Sequence, residues 1–146
     1  MLTIEKVIIL KSVEIFQDLA DEHLVNVAGI LARKDVHEGE RILREGDLGT
    51  SMFIIVNGKV RVHRGDREIA ILGSGEVFGE MAALDPEPRS ASVTAVEETL
   101  LFELDGADLY ELMADHIEVV RAVTRVLVRR VRSALGRRRV GSRARS

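Results

Sequence analysis

The residues best suited to chemistry lie in one segment, residues 75–93, which reads GEVFGEMAALDPEPRSASV. Gly79 follows an apolar run and opens a short stretch of helix formers, where a glycine lets backbone amides approach a ligand closely. The first amides of a helix carry a partial positive charge and suit an anion. Glu80 can accept a hydrogen bond from a sugar hydroxyl, Arg89 presents a planar donor fork for phosphate, and Ser90 can add a hydroxyl. The segment therefore predicts a binding site for a sugar phosphate.

A purely structural interpretation competes with this one. Glu80 and Arg89 could form a salt bridge at the rim of a barrel, with Gly79 as an ordinary bulge glycine. Spacing alone favours that alternative, because surface ion pairs are common and contribute little to stability.

Two helical segments precede the site. Residues 2–10 and 20–32 have helical spacing, with Asp21 as the expected N-cap of the second helix. The apolar face of this helix comprises Leu24, Val27, Ile30 and Leu31. Between the helices, three apolar side chains are expected to close one end of the core: Ile15, Phe16 and Leu19.

From Val36 to Asp105 the apolar period changes to two, which indicates strands. Asn57-Gly58 predicts a hairpin turn, and Gly65-Asp66 predicts a second one. Many short strands separated by glycines favour a closed or nearly closed antiparallel barrel.

The helical period returns at Ala107, with a bend expected at Asp115 or His116. Gly136 is the expected end of the long second helix. Residues 137–146 are expected to form a basic, disordered tail. Leu109, Leu112 and Met113 mark the first helix, and the second has an apolar seam of Ile117, Val120, Thr124, Leu127 and Val131.

Composition restricts the class of protein. With 146 residues, 46% hydrophobic and 31% charged, the chain predicts one soluble domain, residues 1–136, followed by the tail. It has no Cys, and no apolar run approaches the roughly 20 residues of a membrane helix. The N-terminus lacks a signal-peptide pattern. We expect a cytoplasmic domain, or the cytosolic module of a larger, even membrane-attached, protein.

The charge is polarised along the chain. Residues 119–146 hold ten Arg and no acidic residue, whereas residues 1–118 hold 11 basic and 24 acidic residues. An acidic body and a basic end predict two different environments.

The segment FGEMAALDPEPRSAS resembles the phosphate-binding cassette of cyclic nucleotide-binding domains, approximately F-G-E-x-A-x, a short gap, then P-R-x-A. Upstream, EGDLGTSMFIIVNGKVRV resembles the same family's segment of G-D, a spacer and an aromatic-x-I-x-x-G-x-V run. The resemblance covers residues 8–135. It implies an α+β, mainly β, fold: a jelly-roll-like antiparallel β-roll of about eight strands, with N-terminal helices and a C-terminal helix pair.

The resemblance also implies a role for each site residue. Glu80 would accept from the ribose 2′-hydroxyl, and Arg89 would pair with the cyclic phosphate. The C-terminal helix would cover the base, with Thr124 as a candidate contact, although Thr124 is more simply a small residue tolerated in the seam. The other ligand-binding residues implied are Gly79, Met81, Ala82, Ser90 and Ala91.

The ligand implied is cAMP, or else cGMP, since a hydroxyl residue after the cassette Arg occurs with both. We favour cAMP because the domain looks bacterial in type. Asp85 and Glu87 add negative charge to the cassette turn, where flanking prolines predict an exposed position and a modest effect on affinity. No resident cofactor, metal or catalytic role is implied, and a cupin-like enzyme would need metal ligands that the sequence does not cluster.

The expected function is that of a sensor in which the ligand moves the C-terminal helix. One alternative is a degenerate member that binds no nucleotide and serves as a scaffold for interaction or dimerisation. Another is a nucleic-acid-binding accessory protein acting through the Arg-rich tail. Sequence-specific DNA binding is disfavoured, because only about ten residues follow Gly136, too few for a helix-turn-helix. The apolar seam could mediate a homodimer, and the effector remains unspecified.

Overall fold

Within residues 1–145, the computed structural model contains five helices and ten strands, and it describes the side chains of residues 1–136. The helices are α1 (Thr3–Lys11), α2 (Asp21–Ile30), α3 (Glu80–Leu84), α4 (Gly106–Asp115) and α5 (Ile117–Arg145). The strands are β1 (Ala32–Val36), β2 (Arg41–Leu43), β3 (Leu48–Gly49), β4 (Ser51–Asn57), β5 (Lys59–Arg64), β6 (Arg67–Gly73), β7 (Val77–Phe78), β8 (Glu87–Pro88), β9 (Ser92–Ala95) and β10 (Thr99–Asp105). None of the helices in the described part of the chain has the length and apolar character required to span a bilayer.

The strands form two four-stranded sheets and one short ladder, and every pairing is antiparallel. The sheet orders are β1-β10-β4-β7 and β2-β9-β5-β6, and β3 pairs with β8. This architecture confirms the predicted mainly-β roll with flanking helices. The predicted count of about eight strands is lower because β3, β7 and β8 have only two residues each.

Strand β4 contributes to two hydrophobic cores because its side chains alternate between the two faces of its sheet. Met52 and Ile54 face the helices and join a core that includes the predicted end-closing residues. Phe53 and Ile55 face the second sheet and form the interior of the roll. The ring of Phe53 stacks on that of Phe78, with centroids 5.2 Å apart. The predicted end-closing residues, Ile15, Phe16 and Leu19, are all buried.

The N-terminal helices form as predicted, but two details differ. Ala20, not Asp21, occupies the N-cap position of α2. Asp21 is the first helical residue, and its carboxylate lies 2.8 Å from the ammonium of Lys11, so it joins α1 to α2. Only part of the predicted apolar face contacts the core. Leu24 is buried there, whereas Ile30 is 42% exposed.

The Asn57-Gly58 hairpin prediction is wrong. β4 and β5 belong to different sheets, so these residues form a corner between sheets. A hairpin turn of this type needs positive φ at both positions, and only Gly58 has it, at 116°. A Cβ on Gly58 would lie 2.7 Å from the Cα of Thr99, so the glycine serves a close approach of two backbones. The Gly65-Asp66 turn does join a paired hairpin, β5–β6.

The C-terminal helices meet at the predicted bend, where His116 caps α4 with extended φ and ψ values. The face of α5 that packs on the domain coincides only in part with the predicted seam, since Leu127 lies against the core. Val119, Ala122 and Val123 are buried, whereas Ile117 and Val131 are 56% and 59% exposed. The periodicity was ambiguous because α5 carries apolar residues on two faces.

The helix α5 also passes through Gly136, so the predicted helix end at that residue is wrong. The side chains of residues 137–146 lie outside the described part of the chain, and the division into a domain and a basic, disordered tail stays a prediction.

Candidate functional site

An open cavity of about 320 Å³ lies between the second sheet and the segment that connects β7 to β9. Val62 and Leu72 form part of its apolar wall, and Arg130 reaches it from α5. The cavity residues that the sequence predicted are Gly79, Glu80, Met81, Ala82, Arg89, Ser90 and Ala91.

Gly79 makes the turn from β7 into α3. Its φ of 79° lies in the left-handed region, which a glycine adopts without strain. A Cβ at this position would lie 3.0 Å from both the guanidinium of Arg89 and the carbonyl oxygen of Ser51. The glycine therefore allows the first turn of α3 to lie against Arg89. Of the next residues, Ala82 is buried and Met81 is 63% exposed.

Arg89 lies at the inner end of the cavity and is only 8% exposed. Its Nη1 donates to the carbonyl of Gly79 at 3.1 Å, and its Nη2 donates to the carbonyl of Ser51 at 2.9 Å. Within residues 1–136 no carboxylate forms an ion pair with it. Burial lowers the pKa of Arg89, an effect that the charge of Glu103 opposes. A buried guanidinium with donors left over is built to meet an anion.

The backbone around Arg89 fixes its position. Its N–H donates to the carbonyl of Asp47 at 2.9 Å, and its carbonyl accepts from the N–H of Gly46 at 2.8 Å, beside the β3–β8 ladder. A Cβ on Gly49 would lie 2.5 Å from the Nε and Nη2 atoms of Arg89. Gly49 thus leaves the space that the guanidinium occupies.

Glu80 lies at the start of α3 and is 7% exposed. Its Oε1 forms an ion pair with the guanidinium of Arg130. Its Oε2 is buried and has no hydrogen-bond partner in the described structure. Burial lowers the pKa of Arg130. An unsatisfied buried acceptor is unfavourable, so Oε2 would gain from a hydroxyl donor, and Glu80 is among the residues that line the cavity.

The turn after α3 forms the cavity rim. Asp85 and Glu87 are exposed, as predicted, yet both also line the cavity. Ser90 and Ala91 line it as well, and the carbonyl of Ser90 accepts from the Nε of Arg64 at 2.9 Å. The rim therefore contains both negative charge and polar groups for a ligand.

Two residues depart from the sequence-based expectation. Thr124 does not line the cavity, and its hydroxyl donates to the carbonyl of Val120 at 2.8 Å. Arg130 does line it, but sequence analysis missed this residue. Its position on α5 relative to Glu80 depends on helix packing, and an Arg-rich sequence gave no signal that would distinguish it.

A β-roll in which one cavity is lined by a buried guanidinium without an ion-pair partner among residues 1–136 and by a buried carboxylate is the arrangement expected of a binding domain for a small sugar phosphate. The family model described as the cyclic nucleotide-binding domain matches residues 33–116. The chain belongs to this family, whose members are regulatory ligand-binding domains.

Known proteins agree with this assignment. The chain is 36% identical over 130 residues to the cyclic AMP receptor protein of Thermus thermophilus, covering 86% of this chain and 60% of that protein. It is 35% identical over 111 residues to the cGMP-dependent protein kinase of Toxoplasma gondii, covering 76% of this chain and 11% of the kinase. The crystal structure of the Thermus thermophilus catabolite activator protein superposes with a TM-score of 0.81 at 34% identity, covering 88% of this chain and 63% of that one. The chain thus spans less than two thirds of these relatives' length.

Proposed function

We propose that the chain is a cAMP-binding regulatory domain in which occupancy of the cavity controls the position of α5. The observation that carries the proposal is the buried guanidinium of Arg89, which has no acidic partner in the described chain. The cyclic phosphate would supply the missing negative charge. Hydrogen bonds to a charged group contribute about 1.5–3 kcal/mol each.

The remaining polar groups of the cavity match the rest of a cyclic nucleotide. The hydroxyl of Ser90 and the N–H of Ala91 would bind phosphate oxygens, as would the first amides of α3. The orphan Oε2 of Glu80 would accept the ribose 2′-hydroxyl. Val62 and Leu72 offer an apolar wall to the base.

The preference for cAMP over cGMP rests on the similarity of this chain to known proteins. The cAMP receptor protein matches 86% of this chain and the cGMP-dependent kinase 76%. Ser90 does not discriminate between the two bases.

The ion pair between Arg130 and Glu80 is the proposed coupling to α5. Arg130 pairs with Oε1 of Glu80, and the ribose hydroxyl would donate to Oε2 of the same carboxylate, so binding would change the strength of the ion pair and with it the free energy of this α5 position. A ligand can shift such an equilibrium only by its differential affinity for the two states. Two further ion pairs hold α5 to the segment between α1 and α2: Arg125–Asp18 at 2.8 Å and Arg129–Glu14 at 2.7 Å.

Thermal unfolding with and without each nucleotide tests the proposal. At 100 times its dissociation constant a ligand stabilises the native state by about 2.7 kcal/mol, which raises the midpoint by on the order of 10 °C for a domain of this size. We expect the larger shift with cAMP, no shift in Arg89→Ala, and a normal shift in Arg33→Ala. Arg33 is the matched control because its guanidinium is exposed and, among residues 1–136, pairs with the exposed Asp35 alone.

Three outcomes would redirect the proposal. A larger shift with cGMP would reverse the base preference. No shift with either nucleotide, in a sample that unfolds cooperatively, would favour the degenerate scaffold. Salt-sensitive nucleic-acid binding that disappears on deletion of residues 137–146 would favour the accessory protein. The absence of sequence-specific DNA binding and the cytoplasmic location stay predictions.

A homodimer along α5 is a second proposal, and the outer face of this helix favours it. Its exposed apolar residues recur at helical spacing and do not pack on their own domain. A second copy of α5 would cover them, since apolar positions spaced by three and four residues form a helix–helix seam. The most exposed of these residues are Ile117, Val128, Val131 and Leu135.

Sedimentation analysis of the wild type and of Val131→Glu tests the dimer. We expect a dimer for the wild type and a monomer for Val131→Glu, because the charge would be buried in the seam. Ile69→Glu is the control, since Ile69 is 48% exposed on β6, away from α5. A monomeric wild type at high protein concentration would refute the dimer.

A further inference from the structure

Arg64 contacts the turn that contains Ser90 and Ala91 from outside the cavity. It ends β5, and its exposed guanidinium donates from Nε to the carbonyl oxygen of Ser90 at 2.9 Å. Arg64 does not line the cavity, whereas Ser90 and Ala91 both do. The contact spans 26 residues of sequence and joins β5 to the turn that precedes β9.

The contact between Arg64 and the carbonyl of Ser90 also affects the direction of the next N–H, that of Ala91, because the two groups belong to one peptide bond. The described chain contains no cis peptide bond. In a trans peptide the carbonyl oxygen of one residue and the N–H of the next point in opposite directions. If Arg64 holds the carbonyl of Ser90 on the outer side, the N–H of Ala91 must point to the other side. That N–H donates no backbone hydrogen bond to the described residues, so it is available to a ligand.

The end of β5, where Arg64 lies, is held in place by the contacts of the residue before it. The neighbouring His63 is 2% exposed, with its Nδ1 2.7 Å from the carbonyl oxygen of Gly65 and its Nε2 2.8 Å from the hydroxyl of Thr94. Both ring nitrogens are engaged, which ties the end of β5 to β9. The Arg64–Ser90 contact therefore starts from a fixed strand and reaches a turn with little regular structure.

We propose that Arg64 is a positioning residue of the ligand site, which orients the Ser90–Ala91 peptide so that its N–H faces the phosphate. The donated hydrogen bond also polarises the peptide and makes that N–H a stronger donor. This inference rests on the proposed function, and it adds a residue that never touches the ligand. The positive charge of Arg64 is secondary, because an exposed charge acts weakly at a distance in physiological salt.

Three variants separate positioning from charge. Arg64→Leu removes the donor and the charge, whereas Arg64→Lys keeps a charge and a donor on a long stem. Arg67→Leu is the matched control, because Arg67 is exposed and lies opposite Arg64 in the β5–β6 hairpin. We would measure the Kd for cAMP by calorimetry at 0.15 M and 0.5 M salt. In parallel, the amide resonance of Ala91 would be followed by NMR in the ligand-free proteins.

For Arg64→Leu we expect a Kd raised on the order of fivefold, the worth of one ordinary hydrogen bond, at both salt concentrations. Arg64→Lys and Arg67→Leu should stay within about twofold of the wild type. The Ala91 amide should shift in ligand-free Arg64→Leu and stay in place in Arg67→Leu. An unshifted Ala91 amide, an unchanged Kd in Arg64→Leu, or an equal loss in Arg67→Leu would overturn the inference. Because the amide is measured without nucleotide, the result is separate from a failure of the wild type to bind, which would refute only the proposed function.

Discussion

Replacing Gly49 with Ala should weaken ligand binding while leaving the fold intact. Gly49 has no positive φ, so alanine can adopt its backbone conformation without strain. The added Cβ would lie 2.5 Å from the Nε and Nη2 atoms of Arg89, whereas ordinary contact begins at 3.4 Å. The guanidinium must therefore move by about 1 Å, which disturbs its hydrogen bonds to the carbonyls of Gly79 and Ser51.

The loss of stability and the loss of affinity in Gly49→Ala both depend on how the Arg89 side chain moves. The clashing atoms are the far end of a flexible side chain, so the unfolding free energy should fall by less than about 2 kcal/mol. Binding should suffer more, because a displaced guanidinium loses one or more charge-assisted hydrogen bonds worth about 1.5–3 kcal/mol each. That corresponds to a Kd raised by about 10-fold to 100-fold.

Calorimetric titration with cAMP and urea unfolding, performed on the same samples, would measure both quantities. Gly29→Ala is the matched control, because its Cβ would meet no atom within 4 Å. In α2 this substitution should raise stability by up to about 1 kcal/mol and leave the Kd unchanged. A wild-type Kd in Gly49→Ala would show that the position of Arg89 does not set affinity, and the reasoning about the anion site would fail.

Three further predictions concern other parts of the molecule. Gly106→Ala should lower the unfolding free energy by about 2 kcal/mol or more, measured by urea unfolding, because its Cβ would collide with the backbone carbonyl of Ala83. Hydrogen bonding and charge attraction from Glu98 raise the pKa of His37, so an NMR titration should show a lower pKa for His37 in Glu98→Gln. The small stabilisation of the fold by this pair is present below the ordinary histidine pKa and is lost as the pH rises through the raised pKa. Thr124→Val should leave the Kd for cAMP within about twofold, since that hydroxyl bonds to its own helix; a tenfold loss by calorimetry would place it in the site.

The sequence predicted the binding turn well because its residues are close together along the chain. Gly79, Glu80 and Arg89 lie within eleven positions, and a short helix and a turn are enough to bring them to one cavity. The glycine, the acceptor and the donor fork each suit a sugar phosphate by their own residue type, without reference to distant parts of the chain. The structure added that the Arg89 charge is buried and lacks an acidic partner in the described chain, which weakens the alternative of a rim salt bridge between Glu80 and Arg89.

Features that depend on distant packing could not be predicted in the same way. The pairing of Arg130 with Glu80 spans the whole domain, and nothing near Arg130 in sequence identifies its partner. Apolar spacing does not predict which face of α5 is buried, because Val123 on the inner face and Val131 on the outer face are equally apolar. Asn57-Gly58 predicts a hairpin turn because that is its most frequent use, whereas in this fold the glycine allows a close approach to the backbone of Thr99.

The alternation of β4 between two cores has a consequence for any attempt to reduce this protein to a smaller sensor. A roll that kept α3 but lost the other four helices would retain most of the cavity lining, without Arg130, and the interior formed by Phe53 and Ile55. It would also expose to water the opposite face of the same strand, where Met52 and Ile54 are fully buried. Such a fragment would expose a broad apolar surface and would self-associate. The helices thus cover this apolar face in addition to the coupling role proposed for α5, and a minimal module must retain them or replace that face with polar residues.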